Sequence, residues 1–160
     1  MSAAQREENE LSFARLDGFF DLAAFAEACI APSKAEFSPE ALERFLNSFQ
    51  ALVRDVAYPD SGAFLRRASV KVGVPAARDG RVFVPVAMLL PDEELELEVS
   101  FCWEGEGASA RVVDVLFDGD SLVLEYMNQF GAIIDREGVA GLQRKLDAKA
   151  EELANKRAEP

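Results

Sequence analysis

The apolar positions change their period twice along these 160 residues, and the changes divide the chain into helices, sheet and helices. Near the start, Phe20, Leu22, Phe25, Ala26 and Cys29 fall at helical spacing, with Asp21 as the candidate N-cap and Pro32 as the stop. Ser38-Pro39-Glu40 then supplies an N-cap, a proline at the first helical position and an acidic first turn. Behind it, Leu42, Phe45, Leu46, Phe49, Leu52, Val53 and Val56 line one broad face, and Tyr58-Pro59-Asp60-Ser61-Gly62 reads as the loop that ends the helix. From Val70 the period is two: Val70, Val72 and Val74 alternate with Lys71 and Gly73. A turn at Arg78-Asp79-Gly80 leads to a strand over 81–90, and Pro91-Asp92 turns the chain again. The next strand alternates most regularly, with Leu95, Leu97, Val99, Phe101 and Trp103 on one side and Glu94, Glu96, Glu98 and Ser100 on the other. Gly105-Glu106-Gly107 closes a hairpin into 110–117.

Four consecutive strands joined by short turns predict an antiparallel meander. Its apolar face needs a cover, and the helices at both ends of the chain are the candidates, which makes the fold class α+β. After the turn Asp118-Gly119-Asp120, Leu122, Val123, Tyr126, Met127, Phe130, Ile133 and Ile134 cover more of a helix than one core-facing stripe requires. Arg136-Glu137-Gly138 reads as a break before a last amphipathic helix. Residues 1–10 and 154–160 are polar and expected to fray, leaving an ordered core over about residues 12–153. No repeat or linker divides the chain, so a single domain spanning 1–160 is expected.

Charge and composition narrow the function. The net charge of −12 sets the surface against a phosphate backbone and against anionic membranes, so neither nucleic acid nor peripheral binding to such a membrane is expected. There is no histidine, so no imidazole base, Ser-His or Cys-His pair, or histidine-bound metal can be built. The two cysteines, Cys29 and Cys102, are far apart in sequence, which leaves their pairing open, and Cys102 sits in a strand pattern that suits a buried thiol. No apolar run approaches the ~20 residues of a membrane-spanning helix. The opening MSAAQREENELS shows neither the basic nor the apolar region of a signal peptide. Twelve Phe beside two Tyr and one Trp bring large apolar area with no polar handle, which suits a core or a cavity wall.

The carboxylates are what an enzyme would have to use. Asp114, Asp118 and Asp120 stand at two-residue spacing, yet Asp118-Gly119-Asp120 is a plain turn sequence, and no Glu completes a calcium loop. Glu94, Glu96 and Glu98 read as a solvated sheet face, and Arg66-Arg67 as a surface pair that could meet an acidic partner or a lipid headgroup. No phosphate loop, dinucleotide fingerprint or nucleophile elbow is present. Catalytic and metal-binding residues are therefore not expected. What remains is the apolar surplus, and on the residues alone a filled core is a better reading than a dry pocket.

The segment DVLFDGDSLVLEYMNQFGAIIDREGVAGLQRKL resembles the C-terminal signature of the MlaC family of periplasmic phospholipid-binding proteins, in its strand ending in Asp-Val, Gly-X-Ser-Leu turn, helix with a Tyr and a Gln-Phe pair, and Arg-Glu-Gly break. Those positions are Asp114, Val115, Gly119, Ser121, Leu122, Tyr126, Gln129, Phe130, Arg136, Glu137 and Gly138. FFDLAAFAEACI and FSPEALERFLNSFQALVRD look like the family's two early helices, so the resemblance runs from about Gly18 to Leu146. The chain departs from the pattern at Val113, usually Tyr, at Met127, usually Arg, and at Val56, usually aromatic, and it lacks a His-Trp pair in 31–36. The resemblance implies a nuclear-transport-factor-2-like fold, a curved sheet and helices enclosing an apolar cavity for acyl chains. It also implies a soluble periplasmic carrier, its signal peptide removed, that contributes to outer-membrane lipid asymmetry. The implied partners are phospholipid, an inner-membrane ABC transporter with an MCE-domain protein, and an outer-membrane lipoprotein complex. No cofactor is implied beyond the bound phospholipid. By facing, the candidate wall residues are Phe49, Val53, Val84, Val99, Phe101, Val115, Phe117, Tyr126 and Phe130. Two other functions fit the residues: an interaction module with a filled core, and a small isomerase or hydratase with Asp114 as base.

Overall fold

A computed structural model describes residues 11–59, 64, 66–90 and 95–158. The expected fraying of 1–10, the loop residues 60–62, the turn at Pro91-Asp92 and the facing of Glu94 lie outside the described residues, whereas Tyr58 and Pro59, expected in a loop, and residues 154–158, expected to fray, are helical. The chain forms two compact units, one of residues Met1–Leu22 and Gly62–Leu122, the other of Ala23–Ser61 and Val123–Pro160.

The first unit is the sheet. Its strands are β1 (Ser69–Val72), β2 (Ala76–Arg78), β3 (Arg81–Leu90), β4 (Leu95–Glu104), β5 (Arg111–Phe117) and β6 (Asp120–Ser121). All pair antiparallel in the order β1-β3-β4-β5-β6, with β2 also on β3. The four strands expected from the alternation are β1, β3, β4 and β5, in an open, curved meander. The two additional strands are short and follow from local chemistry. β4 occupies one side of β3 along its length, so β1 and β2 share the other side as one interrupted edge. The interruption lies opposite Pro85, which has no N–H to offer; the Gly73 amide donates to the Pro85 carbonyl at 2.7 Å. A Cβ on Gly73 would sit 2.9 Å from Pro85 Cγ, so the close approach needs glycine.

β6 exists because Asp118 and Gly119 adopt positive φ, 49° and 93°, and fold Phe117 back onto Asp120. Asp79 and Gly80 do the same between β2 and β3, at 50° and 76°. Asp-Gly is the pair that two-residue turns of this hand prefer. The register shifts between Cys102 and Trp103, where β5 carries the extra residue Val113. Before the sheet, residues 11–17 are helical, and Phe20 forms a parallel bridge to Val112. The Asp21 amide donates to the Val112 carbonyl at 3.0 Å, and the Val112 amide donates to Phe19 at 2.7 Å. Phe20 thus belongs to the sheet edge and not to the helix its spacing suggested.

The second unit is helical, with α1 taken as residues 11–17 of the first. α2 (Leu22–Cys29) begins immediately after Asp21 and is followed by a 3-10 stretch over Ala31–Glu36 that contains Pro32, the expected stop. α3 (Pro39–Leu52) is capped by Ser38, whose hydroxyl accepts from the Ala41 amide at 3.2 Å. Glu40, fully exposed beside that cap, has its carboxyl held below the usual range, first by its own amide and then by Ser38. A π-helical turn over Val53–Ala57 extends α3. α4 (Leu122–Ala158) contains Gly138 at φ 70°, ψ 177°, so the break read at Arg136-Glu137-Gly138 is there, between two helical runs with no loop. Beyond it, Leu142 and Leu146 are buried, and Gln143 Nε2 donates to Ser48 Oγ at 2.9 Å and to Asp147 Oδ1 at 2.8 Å. Arg44 adds an ion pair to Asp147 at 2.6 Å.

Candidate functional site

Register makes the sheet amphipathic. Val82↔Trp103, Val84↔Phe101, Val86↔Val99, Met88↔Leu97 and Leu90↔Leu95 place ten apolar side chains of β3 and β4 on one face. Val112, Val115 and Phe117 of β5 and Val70 and Val72 of β1 continue that face. The other face carries Arg81, Glu104 and Arg111 in one row, and Glu96, Glu98 and Ser100 further along. Arg81 and Glu104 pair there at 3.0 Å.

Five candidate wall residues lie on the apolar face, in two adjacent rows. One row reads Val84–Phe101–Val115, and the next Val86–Val99–Phe117. Val86, Met88, Val99, Val112 and Val115 are its buried centre, with Phe20, Phe64, Ala68, Leu97, Phe101 and Trp103 packed against them. Phe101 meets Phe20 edge-on at 6.5 Å, and Trp103 meets Phe19 at 6.4 Å. Val84 is half-buried, while Phe117 keeps 42% of its surface exposed.

Three more candidates meet in the helical unit. Phe49, buried, is the hub of a ring cluster: it stacks on Phe25 at 6.0 Å and Phe45 at 5.8 Å, and meets Tyr126 at 5.6 Å and Phe130 at 5.8 Å edge-on. Tyr126 and Phe130 stack at 5.4 Å. Burial pushes the Tyr126 phenol above its ordinary value of 10.0, with Cys29 and Glu125 acting in the same direction. Val53, one turn beyond Phe49, is half-buried at the start of the π turn.

Phe45, not among the residues expected to line a wall, is 0% exposed and touches Phe37, Phe49 and Phe130. Its signal was present, since Phe45 and Phe49 stand four apart on one helical face. Phe20 is likewise not among them, because helical spacing hid a bridge to a strand 92 residues later.

The polar groups are occupied in structure. Asp114 stands opposite Cys102, on the far side of the sheet from Val115. Its Oδ1 accepts from the Val115 amide at 2.8 Å and its Oδ2 from the Ser121 hydroxyl at 2.6 Å. Asp118 Oδ1 accepts from the Glu98 amide at 3.2 Å, tying the turn back to β4. Among the described residues, no three His, Cys, Asp or Glu side chains gather as a metal site would require. Cys29 and Cys102 are buried free thiols, and burial raises the pKa of Cys102. This is a surface chemistry of aliphatic and aromatic contact. It offers van der Waals and hydrophobic stabilisation.

The MlaC protein family model matches residues 2–148. Among solved structures, seven chains match. One is a phospholipid-binding protein from Ralstonia solanacearum in complex with a phospholipid, with a TM-score of 0.70 at 23% identity over 84% of this chain and 75% of that one. The likeness establishes the fold, an α+β nuclear-transport-factor-2-like arrangement as expected from the sequence. Comparison with curated proteins finds no match.

Proposed function

Because the chain belongs to the MlaC family, we propose that it is a periplasmic phospholipid carrier that holds acyl chains and passes lipid between membranes. The observation that carries this reading is the apolar face, where β3 and β4 contribute ten apolar side chains and no ionisable one. Acyl chains need only such contact, at ~0.8 kcal/mol per buried CH₂. The solved protein of like fold binds a phospholipid, which supports the same class of ligand here. On this reading the residues proposed to meet lipid are Val84, Val99, Phe101, Val115 and Phe117 within the sheet unit and, separately, Phe49, Val53, Tyr126 and Phe130 within the helical unit. Lipid is exchanged between an outer-membrane lipoprotein complex and an inner-membrane ABC transporter with an MCE-domain protein. No reaction is assigned to the protein; Asp114, the base of the enzymatic alternative, accepts bonds through both oxygens and lies away from the apolar face.

The test is native mass spectrometry of gently purified protein, with organic extraction of the same sample. A discrete mass increment that extracts as glycerophospholipid is expected. Protein that is consistently lipid-free, and stays so after incubation with phospholipid, would overturn the reading in favour of an interaction module with a filled core.

A further inference from the structure

Residues 66–82 are unlike the rest of the chain. They hold Arg66, Arg67, Lys71, Arg78 and Arg81 against one acid, Asp79, a net +4 in a chain of −12, which leaves the remainder at −16. From Arg66 to Arg78 there is no carboxylate at all. Apart from half-buried Ala68, every residue of the segment is exposed. The aliphatic side chains are exposed as well: Val70 at 46%, Val72 at 64% and Val74 at 85%.

These residues form the interrupted outer edge of the sheet, β1 and β2, with the turn that leads into β1 and the start of β3. Val70 and Val72 point to the apolar side of the edge and Lys71 to the other. Arg78 lies over the Phe83 ring at 4.5 Å, and Arg81 is bound to Glu104. In the row of Lys71 the first carboxylate is Glu98, two strands inward and therefore about 10 Å away. That separation is about one Debye length at physiological salt, so Glu98 is largely screened from Lys71.

An exposed edge strand usually invites another strand. Here the edge is interrupted between β1 and β2 at Gly73–Pro75, and Pro75 has no N–H to pair, which opposes strand addition by a protein partner. Aliphatic side chains interleaved with cations, on an edge that opposes strand pairing, suit a surface that is negative at its headgroups and apolar just beneath them. We infer that this edge docks the protein on an anionic lipid bilayer, with Arg66, Arg67 and Lys71 at the headgroups and Val72 and Val74 inserted shallowly between them.

Co-sedimentation of the full chain with vesicles tests this. Binding is expected to vesicles of phosphatidylcholine mixed with phosphatidylglycerol, to weaken as salt rises, and to be absent with phosphatidylcholine alone. Arg66→Gln with Arg67→Gln lowers the partition coefficient about fivefold per charge removed. Val72→Asp with Val74→Asp lowers it at every salt concentration, whereas Lys149→Gln, on α4, leaves it unchanged. All these positions are exposed, and circular dichroism checks that the variants fold. Equal binding to neutral vesicles, no binding to either, or binding indifferent to the edge substitutions would overturn the inference. Binding to polyglutamate in place of vesicles would overturn it too, by assigning the edge to an acidic protein. The outcome is separable from that of the lipid-cargo test: protein purified empty that still binds anionic vesicles through this edge keeps the inference and loses the carrier reading.

Discussion

Phe45 shows how much one side chain holds together in the helical unit. It is fully buried and meets Phe37 and Phe130 edge-on and Phe49 in a stack. Phe45→Ala removes these ring contacts and leaves a void, so a loss of about 3–5 kcal/mol is expected in urea unfolding. Tyr126 makes a different prediction. Its phenol is pushed above 10.0 by burial, so the neutral form is favoured in the fold. The stability it supplies is full below the unfolded value and is lost as pH rises through the raised folded value. Unfolding free energy measured against pH should therefore fall more steeply above pH 10 in the parent than in Tyr126→Phe. Phe117 bears on the proposed function: it faces the apolar side, yet 42% of it is exposed, so the fold should tolerate a change there. Phe117→Asp brings a carboxylate to the proposed lipid surface. Less co-purified phospholipid than the parent carries, at unchanged far-ultraviolet dichroism, is the expected outcome.

At the level of elements, strands and turns were legible where side-chain period and turn chemistry agreed. β3, β4 and β5 follow from alternation, and Asp-Gly marks both two-residue turns. The cap at Ser38 was readable from Ser-Pro-Glu alone. What escaped depends on partners remote in sequence. The division of the edge into β1 and β2 comes from Gly73 meeting Pro85, and Phe20 leaves its helical pattern because Val112 takes its backbone. The π turn at Val53–Ala57 has no counterpart in side-chain spacing. The wall candidates were legible as to face, since five do share one sheet face. Burial was not, because period says where a side chain points and not what covers it. Gly138 lies between these cases: the break was readable, but not that helix would resume on its far side without a loop. Its φ of 70° with ψ of 177° is a conformation reserved for glycine. Gly138→Ala should cost about 1–3 kcal/mol in chemical denaturation, and an unchanged midpoint would mean that the break relaxes into continuous helix.

For the molecule as a whole, the important fact is the way the chain is shared. It passes between the two units three times, after Leu22, after Ser61 and after Leu122. Neither unit is a continuous stretch, so neither has its own pair of chain ends at which to separate. One cooperative transition is expected, with near-ultraviolet and far-ultraviolet signals coinciding through a urea titration. Two resolved transitions would instead mean that sheet and helices are independent domains.

The bridge from Phe20 to Val112 carries a kinetic consequence of that sharing. The hairpin of β3 and β4 closes over a handful of residues, whereas the bridge closes a loop of 92. By loop-closure entropy alone the second costs about 4 kcal/mol, returned only when the sheet it joins is already formed. The amino-terminal strip therefore seals the sheet late in folding. Substitutions in it should hasten unfolding while leaving the folding rate nearly untouched. A stretch that precedes the whole sheet in sequence is then among the last to find its place.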